Sequence, residues 1–231
     1  MLFCIVIEDI EQVFVQTTLI VALSGTVIGL AIGLLIGGLR ALKADRTAPV
    51  YVKILKKIFQ ILSSIYIGIF RGTPMMVQAV FIYYALLNVI HWTNLQAAIF
   101  VISINTGAYM SEIVRSGIQS VDNGQMEAAR SLGLSNVQAM LHVILPQAIR
   151  NAFPAIGNEF IVNIKDSSVL MIISITELMF QAKSIAGTTY KFSETYFNAI
   201  RPLARAACRM LLRANSNSMP SGERSVFMLR T

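Results

Sequence analysis

Asn105, Tyr109 and Glu112 stand at i, i+4 and i+7 of an otherwise apolar run, and Glu159, Asn163 and Asp166 repeat that spacing further along the chain. On a helix this spacing puts each set on one face. Ionisable groups within hydrocarbon are costly, and they line a protein interior or a water path. Two such stripes facing one another would give a zwitterion a partner for its ammonium and another for its carboxylate. Structural helix-to-helix bonding is the other reading, and the spacing leaves both open. Lys165, beside Asp166, could pair with it internally or with another subunit. Glu112 lies with Arg115 near the end of its run, where structure or gating is the expectation.

No catalytic set converges. His91 and His142 lack partners at useful spacing, and Cys4 and Cys208 form neither a metal-ligand pattern nor a disulfide framework. No Gly-x-x-x-x-Gly-Lys-Ser/Thr phosphate loop is present. The expectation is a protein that is not an enzyme and carries neither cofactor nor metal.

The elements that position the polar stripes are membrane spans. Of the 231 residues, 55% are hydrophobic and only 13% charged, with mean hydropathy +0.64; a soluble domain carries about a quarter charged residues. The net charge of +7 comes from basic residues in short segments between apolar runs. Positive-inside orientation explains it without invoking nucleic acid. The first span runs from Gln12 to Leu39, 28 residues without a formal charge. Acidic Glu8, Asp9 and Glu11 precede it, so it reads as a span with its N-terminus outside and not as a removed signal. Gly25, Gly29, Gly33 and Gly37 recur every four residues and predict a close helix-packing face. A cytoplasmic basic loop with Arg40, Lys43, Arg46, Lys53, Lys56 and Lys57 follows.

Residues 58–87 predict one long helix kinked at Gly72-Thr73-Pro74, with a separate short helix before Arg71 as the alternative. Asn88 to Asn94 reads as an external turn with His91 and Trp92 at the interface. Leu95–Ser111 is the third span and Phe153–Leu178 the fourth, with 179–195 a polar external stretch.

Residues 116–150 lie between the third and fourth spans on the cytoplasmic side. Asp122 or Asn123 can cap a helix, Gly133 suits the left-handed position past its end, and Ser135 with Gln138 forms a capping-box pattern for a second helix. Pro146 is expected to limit that second helix. Within this stretch Glu127-Ala128-Ala129, Gly133, Val143, Leu145 and Pro146 resemble the EAA motif of ABC importer permeases, with Val143 in place of isoleucine. Arg71-Gly-Thr-Pro74, Asn105-Thr-Gly-Ala-Tyr109-Met-Ser-Glu112, Gly157-Asn-Glu-Phe160 and Ile164-Lys-Asp-Ser-Ser168 are similar to the polar amino-acid, glutamine-like branch of that family. The resemblance covers roughly residues 12–198.

The resemblance implies an all-α polytopic membrane protein, a type I ABC importer transmembrane domain, in the bacterial cytoplasmic membrane. It implies a coupling helix gripped by a separate ATP-binding subunit that hydrolyses the ATP. An extracytoplasmic solute-binding protein and a second permease chain, identical or sister, are the other implied partners, with lipid around them. The alternatives are a secondary transporter or channel, and a degenerate non-transporting permease fragment. The family's fifth span is the point of departure. Glu194-Thr195-Tyr196-Phe197 is present, but residues 198–213 carry arginines at 201, 205, 209 and 213 with Pro202. Four clear spans are therefore expected, with a transmembrane domain over 1–197 and an altered basic, polar tail over 198–231.

Overall fold

A computed structural model describes residues 2–41, 49–87 and 89–200, with side chains from 15 onward; the expectations for the tail from 201 on lie outside these residues. Every regular element among them is helical. They are α1 (Leu2–Ala41), α2 (Val50–Gly72), α3 (Met75–Leu87), α4 (Asn94–Gln119), α5 (Asn123–Ser131), α6 (Asn136–Ala139), α7 (Leu145–Asp166) and α8 (Leu178–Thr189). A π turn, Met140–Ile144, joins α6 to α7, and a 3-10 turn, Ser167–Ile173, follows α7. Residues 192–200 are again helical, so helix continues across the expected boundary at 197.

α1 and α4 form the central pair, and the glycine face explains how closely they meet. A Cβ on Gly25 would stand 2.6 Å from Ile102 Cγ2, on Gly29 2.7 Å from Thr106 Cγ2, on Gly33 2.5 Å from Met110 Cβ, and on Gly37 2.6 Å from the Ser111 carbonyl oxygen. The contacts climb α4 in step with the glycines, as two packed helices with four-residue ridges require. α7 closes on the same pair: a Cβ at Gly117 of α4 would meet the Ala148 carbonyl oxygen at 2.7 Å. α4 is consequently the core helix, with Val101, Ile102, Thr106, Ala108 and Met110 almost fully buried.

α1 from Val15 to Ala41 and α4 are each long and apolar enough to cross a membrane; the count reaches four when two bent helix pairs are each taken as one span. The first bent pair corrects the expectation of one kinked helix over 58–87. α2 and α3 meet at 114°, a break and not a kink. Thr73 is extended at φ −120°, as a residue preceding proline prefers. Gln78 then holds the open end, its Nε2 donating to the carbonyl oxygens of Phe70 and Thr73 and to Thr73 Oγ1.

The fourth span also departs from its expected bounds. α7 is helical from Leu145, eight residues before Phe153, and gives way after Asp166 to the 3-10 turn. Ser174 then takes a left-handed conformation (φ 60°) and the chain bends by 60° into α8. The stretch expected to be polar and external, 179–195, is mostly helix, and Glu177 caps its first part, accepting from the backbone N–H of Met179 and Phe180 at 2.8 and 2.7 Å. Pro146 does not end the helix that Ser135 caps. It occupies the first turn of α7, and the π turn before it carries the chain through, with Leu145 N–H bonded to the carbonyl of Met140 five residues back.

Candidate functional site: a capped elbow and a polar layer in the core

The elbow is built from local chemistry. Asp122 caps α5, its Oδ1 accepting from Gly124 N–H at 2.6 Å. α5 ends with Leu134 N–H bonded to the Ala129 carbonyl and Gly133 N–H to that of Arg130, with Gly133 at φ +86°. This is the Schellman arrangement, and its left-handed residue favours glycine. Ser135 and Gln138 form the full capping box that starts α6.

The motif residues divide between two jobs. Ala129 is buried and Val143 half-buried, and Val143 packs on the cluster of Val121, Met140, Ile144 and Ala148 that ties the elbow to α4 and α7. Glu127, Ala128 and Gly133 point to solvent, as does Pro146, while Leu145 is half-buried. Leu132, at the tip, is 84% exposed. A small-residue surface with one carboxylate and one protruding leucine is thereby held on a rigid base.

The two polar stripes do not face each other. Thr106, next to Asn105 on α4, is what meets α7: its hydroxyl donates to Asn163 Oδ1 at 2.8 Å, and Asn163 Nδ2 donates to Thr26 Oγ1 of α1 at 2.8 Å. Asn163 is 1% exposed, so its amide serves as a clamp among three helices. Asn105 turns the other way, its Nδ2 donating to Gln78 Oε1 at 2.8 Å and to the Phe70 carbonyl at 3.3 Å. Tyr109 lies beneath Arg71, whose guanidinium carbon is 5.4 Å from the ring centroid. Glu112 pairs with Arg40 at 3.0 Å and Arg115 at 2.7 Å. The α4 stripe therefore addresses the α2–α3 break and the C-terminal end of α1.

On α7, Glu159 is buried, and its carboxylate accepts no hydrogen bond from a described residue. Lys165 is exposed and Asp166 half-buried, with no ion pair between them. Gln78, Thr26 and Thr106 were not singled out by the sequence reading. Gln78 had a signal, as a lone amide in the apolar run four residues after Pro74; the threonines had none, because threonine is unremarkable in a membrane helix.

By length and composition, the two bent helix pairs together with α1 and α4 allow up to four membrane crossings around a close-packed core, with a capped elbow between α4 and α7, the arrangement of a membrane-embedded component. The family of binding-protein-dependent transport system inner membrane components matches residues 47–200, and the chain belongs to it. A putative glutamine transport system permease protein GlnP of Rickettsia prowazekii is 35% identical over 198 residues, 84% of each chain. A probable amino-acid permease protein YxeN of Bacillus subtilis is 44% identical over 139 residues, 58% of this chain and 62% of that protein. Among solved structures, a crystal structure of an amino acid ABC transporter with histidines matches with TM-score 0.76 at 32% identity, over 100% of this chain and 98% of that one. An inward-facing MetNI methionine ABC transporter matches at TM-score 0.77 and 19% identity, over 90% and 94% of the two chains, a likeness of fold.

Proposed function

We propose that this chain is the multi-pass permease subunit of an ATP-driven importer of polar amino acids, glutamine or a close analogue, in the bacterial cytoplasmic membrane. The observation that carries the reading is the elbow: a capped, outward-pointing helix with exposed Ala128, Leu132 and Gly133, rooted through Val143 in the core. The relatives named as glutamine and amino-acid permeases support the substrate class. An ATP-binding subunit grips the elbow and hydrolyses ATP, so the permease itself needs no cofactor. A solute-binding protein delivers substrate from outside, and a second permease chain completes the translocation path. Because α6, the π turn and α7 are continuous, force on the elbow passes directly to the helix that carries Glu159 and Asn163.

Glu159 fits the substrate path best among the stripe residues, being buried and accepting no hydrogen bond from a described residue, whereas Asn105 and Asn163 spend their amides on neighbouring helices. The experiment is co-expression with the ATP-binding and solute-binding subunits, followed by ATP-driven glutamine uptake in vesicles. Gly133→Val strains the left-handed turn by roughly 1–2 kcal/mol and is expected to abolish uptake while the permease still inserts. Uptake at the wild-type rate by that variant would remove the reading.

A further inference from the structure

Below the Glu112 ion pairs, where the ends of α1 and α4 meet the start of α2 and the start of α5, lies a cavity of about 890 Å³. Its wall holds five cations, Arg40, Lys53, Lys56, Lys57 and Arg115, and one carboxylate, Asp122. Glu112, behind the wall, neutralises part of the arginine charge through its two ion pairs. The site keeps a positive excess even so. The arginines are fixed before any ligand arrives: Arg40 also donates to Ser64 Oγ at 3.2 Å and Arg115 to Gln119 Oε1 at 2.9 Å. The lining also carries an apolar set, Ile118, Val121, Met126, Met140 and Ile144. Beside the lysines, α2 exposes Val50, Tyr51, Ile54, Leu55 and Ile58.

We propose that this cavity binds a phosphate-bearing anion, supplied by the headgroup of an anionic phospholipid of the inner leaflet. A phosphate takes several donors at once, and a guanidinium fork beside flexible ammonium groups provides them. Basic pockets between membrane helices on the cytoplasmic side are suited to such headgroups. The apolar set and the exposed apolar residues of α2 give acyl chains a surface that a free phosphate ion would leave uncovered. The cavity also touches the coupling elbow, because Asp122, Asn123 and Met126 belong to its wall and to the cap and first turns of α5. A bound headgroup would thus brace the root of the elbow. This site is distinct from the core polar layer and does not depend on which solute is carried.

The full-length chain, purified in neutral detergent and reconstituted in phosphatidylcholine nanodiscs, is titrated with phosphatidylglycerol, and bound lipid is counted by native mass spectrometry. Phosphatidylglycerol is expected to be retained over phosphatidylcholine. Lys56→Gln/Lys57→Gln is expected to weaken that retention by roughly 30-fold, from the loss of two surface cations. Lys56→Arg/Lys57→Arg should restore it, and Lys183→Gln/Lys191→Gln, away from the cavity, should leave it unchanged. None of the four lysines is buried, Lys57, Lys183 and Lys191 being exposed and Lys56 half-buried, so a normal gel-filtration profile accompanies each variant. Inorganic phosphate is added in a parallel arm. No competition assigns the site to the lipid; displacement of the lipid that is lost in the Gln pair keeps the phosphate site but moves its source to solution. Equal lipid retention by the wild type and the Lys56/Lys57 Gln pair, or an equal loss in the Lys183/Lys191 pair, would overturn the proposal.

Discussion

One methyl group at Gly33 should separate two helices that are otherwise in contact through backbone. A Cβ there would stand 2.5 Å from Met110 Cβ, 2.7 Å from the Met110 carbonyl carbon and 2.9 Å from Ser111 N. Carbon atoms rest at about 3.5–4.0 Å, so α1 must move away from α4 by roughly 1 Å. Two of the three atoms met are backbone and cannot swing aside. Gly38 lies five residues on in the same helix, and a Cβ there meets nothing within 4 Å. Both Gly→Ala changes gain the same helix propensity, about 1 kcal/mol, so that gain cancels in a comparison. What remains is the overpacking at Gly33, typically about 1–3 kcal/mol. Gly38→Ala is therefore expected to melt slightly above the wild type and Gly33→Ala below it. The gap should be roughly 2–12 °C, at about 2–4 °C per kcal/mol for a chain of this size. Thermal unfolding of the detergent-solubilised protein, followed by circular dichroism, measures it. Equal melting temperatures for the two variants would refute the close approach of α1 and α4 at this level, and with it the meaning given to the glycine spacing.

The other expectations concern single hydrogen-bonded side chains. Asn163→Ala loses bonds to Thr26 and Thr106 and should cost about 1 kcal/mol at the ~0.6 kcal/mol typical of each interhelical bond in a membrane; in vesicles its KM for glutamine should stay unchanged, and a raised KM would return Asn163 to the substrate path. Gln78→Leu takes the amide donor from the Thr73 carbonyl and leaves Asn105 and the Phe70 carbonyl only their longer mutual bond of 3.3 Å, and it should cost roughly 1–3 kcal/mol. Limited proteolysis should then find the α2–α3 elbow more readily cut, whereas an unchanged digestion pattern would argue against the Gln78 clamp. Glu177→Ala removes a cap that is 2% exposed and should destabilise α8 by about 1–2 kcal/mol, read as faster amide exchange at Met179 and Phe180. Exchange equal to the wild type would mean that the carboxylate does not hold that turn.

How much of this was legible in the sequence follows the range of the interactions. The Asp122 cap, the left-handed Gly133 and the Ser135–Gln138 box are each settled within a few residues, and the spacing alone announced them. The glycine face was legible for a similar reason, since four-residue spacing fixes a side of α1 whatever packs there. The partners of Asn105 and Asn163 were not legible. Helical spacing says which way a side chain leaves its own axis, but not which helix waits there, and Asn105 and Thr106, neighbours in sequence, serve opposite neighbours in space. The break between α2 and α3 was half legible: Pro74 marked the place, but the 114° turn depends on Gln78 and Asn105, which belong to different helices. Pro146 misled because proline usually ends a helix, and a π turn that tolerates it has no simple residue signature. The helix at 178–189 was hidden because a glutamate is not among the common caps, so the segment was read only as polar.

The wide turn at Met140–Ile144 carries one more residue than regular α-helix would need. It sets the rotational phase between the elbow and everything that follows. Deleting a single residue there would leave a smooth helix, and each side chain beyond it would be swung by about 100° around the axis. Asn163 would then leave its clasp with Thr26 and Thr106, and Glu159 would turn to another wall. The length of that short segment is thus under tighter constraint than its chemistry: an exchange of one apolar side chain for another would be absorbed, whereas a change of a single position in count would misalign the gear between the handle and the core.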